Sequence, residues 1–160
     1  MQSDKSVPKL TIDYVLDGTG WATAVWDHGT RVEMTASYLH DSLDELAESV
    51  LVLRRSSEMK VSFFDEPGEH QVVLHREGEV LSYSIRWFHD WVEWGLCSPD
   101  RFRVVAEGTV LFARYSQQVS SVLYRLLREH GEDGYRSKWV EHPFPIDKYK
   151  VVVGGSDGDA

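Results

Sequence analysis

The sequence predicts an α+β fold: an antiparallel sheet of about seven strands with two helices packed on one face, in the order β-β-β-α-β-β-β-β-α. Three observations lead there. Several short runs alternate apolar and polar residues with period two, two longer runs repeat apolar residues every three or four positions, and turn-forming residues separate the short runs. A length of 160 residues matches one ordinary domain, which buries roughly 70% of the surface its unfolded chain exposes. Residues 1–153 are therefore read as a single domain, and 154–160, rich in Gly, Ser and Asp, as a disordered tail.

The clearest strand covers residues 30–38, where Val32, Met34, Ala36 and Tyr38 alternate with polar neighbours. A two-residue turn at His28-Gly29 would set Trp26 opposite Arg31 and Val25 opposite Val32, making 21–27 the preceding strand. Asp17-Gly18-Thr19-Gly20 separates that strand from another at 10–16. The period then changes. Leu43, Leu46, Ala47, Val50 and Leu51 mark an amphipathic helix to about Leu53, opened by a Ser42/Glu45 capping box and closed by Arg54 and Arg55.

Strands at 59–64, 70–76 and 80–88 follow, joined by Glu66-Pro67-Gly68-Glu69 and Glu77-Gly78. Setting Asp65 opposite His70 places Phe63, Val61, Val72, Leu74, Leu81, Tyr83, Ile85 and Trp87 on one face. A seventh strand over 102–108 precedes a helix with a stripe of Tyr115, Val119, Val122, Leu123, Leu126 and Leu127, stopping at Gly131. Residues 135–145 are expected to lie extended over the domain, anchored by Tyr135, Trp139 and Phe144, with 148–153 as a last strand. Two helices cover about 20 Å of a sheet about 33 Å wide, so one face should be partly open.

Charge and cysteine content narrow the function classes. Seventeen Lys and Arg against 26 Asp and Glu give a net charge of -9, which repels phosphate backbones and attracts basic proteins, so nucleic acid is not expected as a partner. No apolar run reaches the ~20 residues of a membrane span, and the start of the chain lacks the h-region of a secretory signal. The single Cys97 has no disulfide partner within the chain. These features predict a cytoplasmic protein without a membrane role.

No catalytic motif stands out: there is no phosphate-binding Gly loop and no Gly-x-Ser-x-Gly elbow. His40-Asp41 and His89-Asp90 precede a helix cap and lie in an aromatic loop, and His70 and His75 fall on opposite faces of a strand, so neither a metal nor another cofactor is expected. Three groups remain. Trp26, Arg31 and Glu33 are expected on the open face as a partner-binding surface, with Trp26 stacked on Arg31. Trp87, Phe88, Trp91 and Trp94 form an aromatic cluster, with Trp87, Trp91 and Trp94 on one face of a helical turn, either a cleft for a ligand or a plug for the core. Asp65 and His70 are expected to meet at the rim as a polar pair.

The segment Phe64-Asp65-Glu66-Pro67-Gly68-Glu69-His70 carries an acidic Glu-Pro-Gly hairpin, and Gly131, Tyr135 and Trp139 are followed by Pro143-Phe144-Pro145. In these features the chain resembles uncharacterised bacterial small α+β proteins, mainly over its second half. That resemblance implies no activity. Some small acidic proteins of this general kind look like immunity proteins that neutralise toxins. The function expected is thus a non-catalytic protein-binding domain, immunity-like or self-associating, with a protein partner or a second copy bound. The alternative is a small-molecule binder or enzyme using the aromatic cleft.

Overall fold

The computed structural model describes residues 8–154; apart from Gly154, the expected C-terminal tail lies outside the described residues. The fold is α+β, with strands β1 (Thr11–Gly18), β2 (Trp21–Asp27) and β3 (Arg31–Ser37), helix α1 (Ser42–Leu53), strands β4 (Glu58–Phe64), β5 (Glu69–Glu77), β6 (Val80–Phe88) and β7 (Arg103–Leu111), and helices α2 (Phe112–Lys138) and α3 (Ile146–Gly154).

The strands form two antiparallel sheets, β1-β2-β3 and β4-β5-β6-β7, instead of one sheet of seven. The break has a local cause at the edge of β4. There Ser42 Oγ donates to the Ser62 carbonyl at 2.7 Å, and the Ser62 amide donates to Glu45 Oε1 at 2.7 Å. Side chains from the first turn of α1 thus satisfy backbone groups that a neighbouring strand would otherwise take. The N-cap of α1 is Asp41, whose carboxylate accepts from the Asp44 amide, and not Ser42. Glu45 is accordingly bonded to β4 and to His40 rather than closing a capping box.

The inner faces of both sheets share one core with α1 and α2. Val32, Met34, Phe63, Leu74, Tyr83 and Ile85 are all buried in it, as their alternation implied. Trp26 packs 4.9 Å from Tyr83 and 5.9 Å from Tyr115, ring centre to ring centre, so it touches the second sheet and α2 at once.

The β2-β3 turn corrects the expected register. It holds three residues, with Asp27 opposite Arg31 and the His28 amide bonded to the Thr30 carbonyl. Trp26 therefore faces Val32, and it joins Ala22, Ala24, Met34 and Ala36 in the core. One residue of slip exchanges the two faces of a strand. The β4-β5 and β5-β6 hairpins are each displaced from expectation by two residues, with Phe63 opposite His70 and Leu74 opposite Tyr83. A slip of two preserves parity, so the inward set there is unchanged. Gly68, at φ 111°, lies so close to Trp87 that a Cβ would sit 2.1 Å from the indole.

The C-terminal part also departs from expectation. Gly131 (φ 69°) kinks α2 without ending it, and the helix resumes to Lys138. Tyr135, Trp139 and Phe144 are buried, so the segment docks as anticipated. Val140 and Glu141 take left-handed φ values of 53° and 71°, an unfavourable state for a β-branched residue. Neighbouring bonds hold them there: Gly20 donates to the Lys138 carbonyl, Glu141 to that of Arg136, and His142 Nε2 meets the Tyr38 carbonyl. The expected last strand is instead α3. Its Lys148 pairs with Asp44 and Glu48 of α1, and the Arg54 guanidinium reaches the carbonyls of Val151 and Val152. The partner this segment finds is a helix.

Because Trp26 is 2% and Trp139 0% exposed, replacing either by Ala should cost about 3–5 kcal/mol, the range for buried aromatics. Chemical denaturation measures this directly. A change below about 0.5 kcal/mol, typical of surface positions, would contradict the burial of that residue.

Candidate functional site: an open sheet edge beside a groove

With Trp26 in the core, the surface expected around it does not form. Arg31 pairs with Glu33 at 2.8 Å on the outer face of β3, both well exposed, and Arg31 makes no stack with Trp26.

The aromatic cluster divides across the second sheet. Trp87 points to the inner side, against His70 at 4.7 Å and over Gly68. Phe64 and Phe88 lie on the outer side and are buried there by the loop of residues 89–102. Phe64 stacks with His40 (4.9 Å) and with Trp91 (5.1 Å), and Trp94 meets Trp91 edge-on at 4.8 Å. So Trp87, Trp91 and Trp94 do not share a face. The loop is fixed from beneath by Glu69, fully buried, whose Oε1 accepts from the Val92 amide at 2.9 Å and the Glu93 amide at 3.3 Å while Oε2 accepts from Gln71 at 2.7 Å. Three donors compensate a buried carboxylate that would otherwise be costly. The rings act as a plug over the outer face of the sheet, leaving Trp94 and Leu96 exposed.

Asp65 and His70 do not form the expected pair. The register sets His70 opposite Phe63, and Asp65 turns to its own loop, with Oδ1 accepting from the Glu66 amide and its carbonyl accepting from Trp91 Nε1. His70 Nδ1 is buried without a hydrogen-bond partner. Burial pushes the His70 imidazole down to about 4; the charge of Asp65 opposes this and that of Arg103 adds to it. His40 moves the other way. Its burial lowers the pKa, but the hydrogen bond to Glu45 and the charges of Glu45, Glu93 and Glu69 outweigh it.

Cys97 Sγ lies 3.7 Å from His89 Nδ1 within the loop and is buried. Among the described residues, no group of three or more His, Cys, Asp or Glu is placed to hold a metal ion.

Two sheet edges, β3 and β7, keep outward backbone groups without a partner among the described residues, and of the two it is β7 that lies beside a groove. The edge of β1 is covered by α2, where Gln118 Oε1 accepts from the Ile12 amide and Arg114 Nε donates to the Leu10 carbonyl. The edge of β4 is covered by α1. β7 pairs with β6 alone and ends its sheet. The Phe112 amide donates to the Glu79 carbonyl, extending the β6-β7 ladder by one residue. Bonded pairs recur at every second residue, so Val110, Gly108 and Ala106 bond to β6. The backbone groups of Glu107 and Thr109 and the amide of Leu111 therefore point outward, and among the described residues they have no partner.

A groove of about 660 Å³ runs beside this edge on its inner side. Its walls are Pro8, Lys9 and Leu10 leading into β1, the stretch Thr109, Val110 and Leu111, and Ala113 with Arg114 in the first turn of α2. His28 closes one end, held by a 2.8 Å contact between its Nδ1 and the Tyr83 hydroxyl. Gly108 permits this arrangement, since a Cβ there would lie 2.9 Å from that hydroxyl. Sequence reasoning missed the site because it ended the strand near Gly108. The signal was the continued alternation of Thr109, Val110 and Leu111 just before a long helix.

His70 yields a pH dependence whose sign follows from its depressed pKa. Below pH 6.5 the unfolded chain takes up a proton that the folded chain refuses, so stability falls as pH drops toward 4, by up to about 3 kcal/mol. The stability difference between wild type and His70→Gln, measured by urea unfolding, should shrink across that window. A difference independent of pH would show that His70 stays solvated. Comparison of the chain with protein-family models, with curated proteins and with solved structures finds no match, so the function is argued from the site's geometry.

Proposed function

We propose that the chain is a non-catalytic protein-binding domain that accepts an extended segment of a partner as an added strand on β7. The observation that carries this reading is the outward row of unpaired backbone groups at Glu107, Thr109 and Leu111 beside an apolar groove. Strand addition draws affinity from main-chain hydrogen bonds and specificity from pockets that take alternate side chains. Here the inward side chains of the added strand would enter the groove past Val110. The exposed side chains of Val104 and Leu111 extend the apolar contact at either end. The net charge of -9 favours approach of a basic partner over long range and disfavours that of a phosphate backbone. No described helix is long and apolar enough to cross a membrane.

Thr109→Pro isolates the edge. The lost amide points away from β6, so the substitution removes an outward donor without breaking the ladder, and proline is tolerated on edge strands. The variant should keep the wild-type circular dichroism spectrum and lose binding to an array of unstructured peptides. Hydrogen exchange gives a second measure, with the Glu107 and Thr109 amides exchanging faster than those of Gly108 and Val110 in dilute protein. Peptides that bind Thr109→Pro as well as wild type would overturn the proposal.

A further inference from the structure

We infer that the strand received by β7 is β7 of a second copy, paired antiparallel about a twofold axis at Gly108 to give a continuous eight-stranded sheet. This rests on the edge-pairing reading above and names its partner.

The phase of the ladder limits the choices. From Ala106 to Leu111 the outward groups belong to odd-numbered residues, and the bulge at Val105 ends this phase, so a twofold must set odd against odd within that stretch. Three such registers centre the contact on the middle of this stretch, at Glu107, Gly108 or Thr109. An axis at Glu107 sets the two Glu107 carboxylates opposite each other, and like charges in that position are destabilising. An axis at Thr109 sets Glu107 against the apolar Leu111 and runs Val105 past the strand end into α2. An axis at Gly108 sets Glu107 opposite Thr109 twice, a carboxylate facing a hydroxyl, both on the exposed face of the strand.

At the axis itself Gly108 faces Gly108, and no side chain obstructs the approach. The register is thus self-complementary in charge and in polarity. The net charge of -9 per copy opposes association, but β7 itself carries one charge of each sign, Arg103 and Glu107. Exposed charges more than about 8–10 Å apart are largely screened at physiological ionic strength. Dimerisation should accordingly tighten with added salt, whereas binding of a basic partner would weaken.

A charge exchange tests both the pairing and its register, read by sedimentation equilibrium of the full chain. Wild type should show a monomer–dimer equilibrium with slowed exchange of the Glu107 and Thr109 amides as concentration rises. Thr109→Glu places two carboxylates opposite Glu107 and should weaken the dimer about tenfold or more. Adding Glu107→Lys in the same chain creates two Lys–Glu pairs and should restore it. Thr109 and Glu107 are exposed, so neither change threatens the core, and circular dichroism checks that. A wild type that remains monomeric at millimolar concentration overturns the inference, as does a double variant no tighter than Thr109→Glu. If peptides still bind in a Thr109-dependent manner while no dimer forms, strand addition stands and self-pairing falls.

Discussion

Trp26 sits where the three-stranded sheet, the four-stranded sheet and the long helix meet, and much of the architecture depends on its contact with Tyr83 and Tyr115. A large aromatic ring buries more apolar surface than any other side chain in β2. Placing it inward brings the tip of the β2-β3 hairpin over β6, where His28 meets the Tyr83 hydroxyl. The ring of Tyr83 then leaves room for no side chain on the facing residue of β7, and Gly108 stands there. The hydroxyl of Tyr115, on the opposite side of Trp26, bonds to Ser49 in α1 at 2.6 Å. One aromatic contact thus connects both sheets with both principal helices.

Polar side chains finish what that core begins. A sheet split into two has four edges to satisfy, and the cost of an unpaired buried amide or carbonyl is comparable to a lost hydrogen bond. Gln118 and Arg114 serve β1, and Ser42 and Glu45 serve β4, while the outward backbone of β3 at Glu33 and Thr35 has no partner among the described residues. Glu69 plays the same part for the loop over the outer face. These are long-range contacts made by ordinary surface-type residues. β7 lies beyond the reach of both helices along its middle, and there the backbone remains open to a partner.

How much of this was legible depended on parity. In β4, β5 and β6 the register differs by two residues from the one the turn residues imply, yet Val61, Phe63, Val72, Leu74, Tyr83 and Ile85 all face the core. In the β2-β3 hairpin the turn is His28-Gly29-Thr30 in place of His28-Gly29, a difference of a single residue, and the surface expected around Trp26 is inverted. Nothing in the alternation of β2 distinguishes the set with Val25 and Thr23 from the set with Trp26, Ala24 and Ala22. The open edge was illegible for another reason: which strands end a sheet depends on which helix covers which neighbour.

The sequence by itself determined the kind of most elements, the apolar stripes of α1 and α2, and the docking of Tyr135, Trp139 and Phe144, because periodicity and side-chain size are local properties. It did not determine the break between β3 and β4, the helical state of the Val151-Val152-Val153 run, or the exposure of β7. Those were decided by tertiary structure. Ser42, Glu45, Lys148 and Arg54 act on partners far along the chain, and a backbone group is free or satisfied according to what the whole fold brings beside it.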